Sequence, residues 1–126
     1  MDLLANTINT IKVNENAGLS SCVISDTKLI KSVVEVMKRS GYITGFDEVK
    51  EGRFKKLRIM LARKINDIGI IKPRFAVSLS DYQKYEARFI PSKDFGVLIL
   101  STSKGIMTNR EAKEHKIGGR LLAYVY

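Results

Sequence analysis

The chain has 126 residues, 44% of them hydrophobic and 28% charged, which is enough apolar material for a packed core and excludes wholesale disorder. Its 22 Lys and Arg outnumber 13 Asp and Glu, for a net charge of +9, a balance that attracts polyanions. The lone Cys22 excludes an internal disulfide and a cysteine-based metal site and fits a reducing cytosol; its plain reading is a small residue in a strand. No segment approaches the roughly 20 apolar residues of a membrane span, and the N-terminus lacks the pattern of a secretion signal.

Taken in chain order, residues 2–16 read as a helix. Asp2 is placed to cap it, and Leu4, Ile8 and Ile11 recur at helical spacing. A short strand is expected over Ser20–Ser25. A second helix is expected over 27–40, with Thr27 as N-cap, a broad face of Leu29, Ile30, Val33, Val34, Val36 and Met37, and Gly41 at its exit. Strands at 43–50 and 54–62 follow, joined by a turn around Glu51-Gly52. In the second, Leu57, Ile59 and Leu61 alternate with Lys56, Arg58 and Met60, the period-2 mark of a half-buried strand.

Beyond a seam near Asn66 to Gly69, short strands are expected at Ile68–Ile71 and Arg74–Leu79. A helical segment at 81–89 carries Tyr82, Tyr85 and Phe89. Phe95–Leu100 is almost wholly apolar and reads as a buried strand. Ser101-Thr102-Ser103-Lys104-Gly105 follows as a turn. Thr108 and Glu111 then form a capping box for a short helix, and Arg120–Tyr126 closes the chain as a strand. The class is α+β, in two small subdomains packed together. Residues 1–66 are expected as an αβαββ unit, and 67–126 as a mostly β unit with short helices.

Catalytic constellations find little support. A nucleophile elbow needs Gly two residues on either side of the serine; Ser103 has Gly105 after it but Ser101 before it. The single His115 sits in a charged stretch that reads as a solvated helix end. Lys104-Gly105 reverses the order of a P-loop. One His, one Cys and scattered carboxylates make no metal motif. No catalytic residue, cofactor, metal or small-molecule substrate is expected.

RNA binding needs cations for phosphates, short polar groups for ribose and base edges, and planar side chains for stacking. Nine cations lie between Lys50 and Arg74 (Lys50, Arg53, Lys55, Lys56, Arg58, Arg63, Lys64, Lys72 and Arg74) against Glu51 and Asp67. Such a run is either a ligand surface or a solvated face. Ser101 to Gly105 reads equally as a helix-capping turn or as a ligand loop. In the second reading its hydroxyls and bare Gly105 reach a nucleotide, and the following helix offers N–H groups. Gly118-Gly119 is a turn or a second close-approach site. Tyr82 and Tyr85 can stack on bases, though at least one belongs to the core.

With FGVLILSTSKGIMTNREAKEHKIGGRLLAYVY in view, the chain resembles the small-subunit ribosomal protein eight family, in its archaeal and eukaryotic form. The resemblance covers essentially the whole chain: IKPRFAV and YEARFIP are similar to archaeal segments, and Asp2, Ala5, Ile8, Ile11 and Lys12 to the family's opening helix. It departs from bacterial members in Arg120, where they carry an acidic residue, and in Leu3 and Val13, where they carry Pro and Asn. The resemblance implies a non-catalytic, ribosome-associated cytoplasmic protein. It implies direct binding to the central domain of small-subunit ribosomal RNA, support of subunit assembly, and neighbouring small-subunit ribosomal proteins as further partners. It places the main contacts on Ser101, Thr102, Ser103, Lys104, Gly105, Gly118 and Gly119 and near Tyr85, with a secondary contact at Thr27, Lys28 and Lys31.

Overall fold

The computed structural model describes residues 3–92 and 94–126, with Glu51 described by its backbone alone. The chain divides into two compact α+β units. The first closes at Ile65; the second opens at Asn66, whose N–H donates to the Tyr126 carbonyl at 2.6 Å. The Asp2 cap lies outside the described residues.

In the first unit the order is α1 (Leu3–Asn16), β1 (Ser21–Ser25), α2 (Lys28–Arg39), β2 (Ile43–Glu51) and β3 (Phe54–Leu61). The strands form one antiparallel sheet in the order β1-β3-β2. Leu4, Ile8 and Ile11 of α1 and Ile30, Val33, Val34 and Met37 of α2 are buried, as their spacing demands. So are Leu57, Ile59 and Leu61 of β3, while Arg58 between them is exposed. The Thr27 hydroxyl accepts from the Ile30 N–H at 3.2 Å. At the other end Gly41 takes φ 84°, which lets the Tyr42 N–H return to the Met37 carbonyl, the left-handed exit that glycine makes easy. The β2–β3 turn falls at Gly52-Arg53, one residue later than expected, because Glu51 still pairs with Phe54.

The second unit runs β4 (Ile68–Ile70), β5 (Ala76–Val77), a 3₁₀ turn (Leu79–Asp81), α3 (Tyr82–Phe89), β6 (Val97–Thr102), β7 (Gly105–Thr108), α4 (Asn109–Glu114) and β8 (Gly119–Val125). Its antiparallel sheet has the order β4-β8-β6-β7, with β5 also on β8. Leu98, Leu100, Leu121, Met107, Tyr82 and Ile71 belong to one buried cluster.

Three expectations are corrected here. The strand expected over Arg74–Leu79 shrinks to Ala76–Val77, because Ser78 and Asp81 cap each other and turn the chain into the 3₁₀ segment. The apolar strand begins at Val97, leaving Phe95 half exposed, and runs on through Thr102. Gly105–Thr108, expected as loop and cap, is strand β7, since Ile106 and Met107 pair with Ser101 and Leu100.

Candidate nucleic-acid interface

β6 and β7 form a tight hairpin. Leu100 pairs with Met107, Ser101 with Ile106 and Thr102 with Gly105, leaving only Ser103 and Lys104 as the turn, both exposed. The hydroxyl of Thr102 is committed to this geometry: it donates to the Gly105 carbonyl at 2.8 Å and accepts from the Lys104 N–H at 3.1 Å. Thr102 therefore shapes the turn, and Ser103 and Lys104 are what the turn presents. Gly105 has φ 115°, a conformation L side chains rarely adopt, and nothing lies within 4 Å of where a Cβ would stand. The backbone there is bare and open to a ligand.

The helix after the hairpin does not serve the tip. The capping box of Thr108 and Glu111 is present, but it sits at the far end of β7, about 10 Å along the strand. The Thr108 hydroxyl already accepts from the Glu111 N–H at 3.2 Å.

The glycine pair stands behind the hairpin. A Cβ on Gly118 would lie 2.1 Å from the Val77 carbonyl oxygen, and one on Gly119 would lie 2.4 Å from the Ser101 carbonyl oxygen. Both glycines are thus required by the close approach of β5, β8 and β6. That approach brings Ser101, Thr102, Gly118 and Gly119 together, with Arg120 paired directly against Ser101. The exposed Arg120 guanidinium donates to the Arg74 carbonyl at 3.4 Å, on the β5 side of β8.

The aromatic candidates sit deeper. Tyr82 is 1% exposed, and its hydroxyl donates to the Ile117 carbonyl at 2.7 Å. Burial, with the Glu86 carboxylate nearby, pushes its phenol above the usual value. Tyr85 is 8% exposed; its ring lies 5.4 Å from Phe75, and the Lys84 ammonium stands 5.3 Å over it. Around this pair is a feature the sequence reading missed: the exposed Arg88 guanidinium stacks over both Phe75 and Phe89, at 5.2 and 5.1 Å. The spacing of Arg88 beside Phe89, near an Arg74-Phe75 pair, was the available signal, but it needed the fold to join the two segments.

Beneath them, buried Glu86 accepts from Asn109 Nδ2 and from Lys113 Nζ, the latter at 2.5 Å. Asn109 Oδ1 accepts from the Leu98 N–H at 3.1 Å. This network ties α3 to the start of α4 and to β6, the strand that carries the hairpin.

Thr27, Lys28 and Lys31 lie in the first unit. The Thr27 hydroxyl is used as the cap, and the Lys31 ammonium pairs with Glu48. That hydrogen bond and charge raise Lys31 and lower Glu48 from their ordinary ranges. Lys28, exposed at the first helical position, is the group this corner presents. The run from Lys50 to Arg74 is divided between the two units, the first holding its members up to Lys64 and the second Lys72 and Arg74. Lys50, Arg53, Lys55, Lys56 and Arg58 share the β2–β3 hairpin, whereas Lys72 and Arg74 precede β5.

His115 caps the end of α4, and Ser103 stands at the hairpin tip. Among the described residues no group of three or more His, Cys, Asp and Glu is disposed to hold a metal ion, and no helix is long and apolar enough to cross a membrane.

A small basic α+β chain with a stiff Ser-Lys hairpin, bare glycine backbone and adjoining guanidinium groups is of the class suited to bind a structured polyanion. The family model described as Ribosomal protein S8 matches residues 2–126. The small ribosomal subunit protein uS8 of Archaeoglobus fulgidus is 46% identical over 127 residues, covering 100% of this chain and 98% of that protein. The chain belongs to the ribosomal protein S8 family, which is not an enzyme family.

Proposed function

We propose that the chain is a structural component of the small ribosomal subunit, bound directly to the central domain of small-subunit ribosomal RNA and supporting subunit assembly in the cytoplasm. Neighbouring small-subunit proteins are its further partners. The observation that carries the reading is the β6–β7 hairpin, where Thr102 locks the turn and leaves Ser103, Lys104 and the bare Gly105 backbone outward. Ser103 supplies a hydroxyl that both donates and accepts, Lys104 and Arg120 supply charge, and the glycines keep the strands close enough to hold Ser101 beside them. Such a site reads the shape of a distorted RNA through sugar, phosphate and base edges. Tyr85 supports it from the core, and Thr27 presents Lys28 as a secondary phosphate contact.

The test is Ser103→Ala in a filter-binding titration against a transcript of the central domain. Loss of one specific contact is expected to weaken binding by roughly 1–3 kcal/mol, on the order of 5- to 150-fold. Unchanged affinity contradicts the assignment. Lys28→Ala is expected to flatten the log–log salt dependence by about one unit.

A further inference from the structure

We infer that Asn109 is a positioning residue for the RNA site: with Glu86 it sets the register of the β6–β7 hairpin and holds that hairpin in line with α3. The inference rests on the RNA-binding reading above and adds what keeps the parts of that site aligned.

The apolar pattern of β6 specifies its register weakly. Val97, Leu98, Ile99 and Leu100 are all 5% exposed or less, so the strand is covered on both faces and does not alternate. Its partner β8 reads the same way, with Leu121, Leu122, Ala123 and Val125 all buried. A one-residue slip sends every side chain to the opposite face, which in a half-buried strand turns the whole apolar set outward. In β6 it exchanges Leu98 and Leu100 with Val97 and Ile99 on equally apolar faces, so only the strand ends resist it. The pairing of β6 with β8 already shifts between Ile99 and Leu100. The Thr102 bonds choose which residues turn, but they lie within the hairpin and do not hold it to its surroundings.

The polar groups at the base of the hairpin supply what the pattern lacks. β7 ends with Thr108 opposite Ile99, and Asn109 leaves the strand to begin α4. Its side chain takes the next place on the ladder: Oδ1 accepts from the Leu98 N–H at 3.1 Å. The same amide donates through Nδ2 to Glu86 of α3, the helix that carries Tyr85 and Arg88. Lys113 Nζ donates to that carboxylate at 2.5 Å and ties it to α4. Asn109 is 0% exposed and Glu86 4%. A slip of one residue carries the Leu98 N–H about 3.4 Å along the strand, out of hydrogen-bond reach. It leaves a buried donor and a buried acceptor unpaired, a penalty that the native register avoids. Specifying one arrangement among several of similar apolar content is what a buried polar bridge does best.

The experiment uses the full chain and a central-domain transcript, titrated well below the Tm of each variant so that global unfolding contributes nothing. Register is read separately in the free protein, from cross-strand nuclear Overhauser contacts of the Leu98–Tyr124 and Ser101–Ile106 pairs and from exchange of the Leu98 amide. Asn109→Asp keeps an acceptor for Leu98, loses the donor, and sets a second carboxylate against Glu86. Asn109→Leu removes the bridge without adding charge. Both are expected to weaken binding on the order of 10-fold, as when a tenth of the molecules hold the competent register, with faster Leu98 exchange and weakened cross-strand contacts. Adding Glu86→Gln to Asn109→Asp reverses donor and acceptor, and is expected to restore register and affinity to within about twofold of the unmodified chain.

Unchanged cross-strand contacts in both single variants would overturn the inference, as would failure of the double substitution to restore what Asn109→Asp loses. Ser103→Ala separates the two readings when a shifted register leaves affinity intact. If Ser103→Ala weakens binding, the positioning role of Asn109 is lost and the RNA site stands. If it too changes nothing, the hairpin assignment fails while Asn109 still sets the register.

Discussion

Gly119→Ala separates spacing from contact. The new Cβ would stand 2.4 Å from the Ser101 carbonyl oxygen, 2.9 Å from Leu100 Cδ1 and 3.0 Å from Thr102 Cγ2. The first of these is about 1 Å short of ordinary contact, and it involves backbone, so no rotamer change relieves it. β6 must withdraw from β8 where Ser101 pairs with Arg120. Overpacking of this kind costs about 1–3 kcal/mol. Alanine returns roughly 0.5–1 kcal/mol by narrowing the unfolded ensemble. The net expectation is destabilisation of about 1–2 kcal/mol, a fall in Tm of roughly 5–15 °C for a unit this small. Thermal unfolding followed by far-ultraviolet circular dichroism checks it, alongside titration of the central-domain transcript. Both stability and RNA affinity are expected to fall, because the strand that moves carries the hairpin. A variant that melts within a degree or two of the unmodified chain would refute the packing argument. Lost affinity at full stability would mean instead that Gly119 meets the RNA directly.

Other expectations follow from the same geometry. Glu86→Ala strips Asn109 and Lys113 of their shared acceptor and should cost about 1–3 kcal/mol in urea unfolding, tempered because Lys113 is 40% exposed; restoring the loss with Lys113→Ala would identify the charge, and not the cavity, as the cause. Asp81 is held below the usual carboxylate range by the Ser78 N–H and hydroxyl. A depressed folded value contributes stability that is present above the unfolded value and disappears as pH falls through the folded one. Asp81→Asn should therefore be less stable than the unmodified chain at neutral pH, with the gap closing below the ordinary carboxylate range. The Cys22 thiol is buried and pushed up, by desolvation first and by Glu15 second, so a thiol reagent should modify it slowly until denaturant is added.

Much of this fold was legible because its signals are local. Thr27, Gly41, Thr108 and Glu111 announce helix ends through hydrogen bonds within four or five residues, and β3 declares its buried face by alternation. What escaped depends on partners distant in sequence. β7 has four residues, of which only Ile106 and Met107 are apolar, too few for periodicity; β6 makes it a strand. Thr102 reads as a displayed hydroxyl, and only its pairing with Gly105 adds the bond across the turn. The glycine pair was legible as a place of close approach, but the groups approached, Val77 and Ser101, are set by the strand order. The positive run from Lys50 to Arg74 looked continuous in sequence, yet the chain passes from one unit to the other within it.

The central claim is that the β6–β7 hairpin lies on small-subunit ribosomal RNA. Lys104→Cys places a reactive thiol on the exposed turn, while the buried Cys22 gives little competing reaction. A short photoactivatable crosslinker attached there, followed by assembly into small subunits and sequencing of the adducts, measures the contact directly. Crosslinks to the central domain of small-subunit ribosomal RNA are expected. Adducts confined to neighbouring proteins, or to RNA outside that domain, would contradict it.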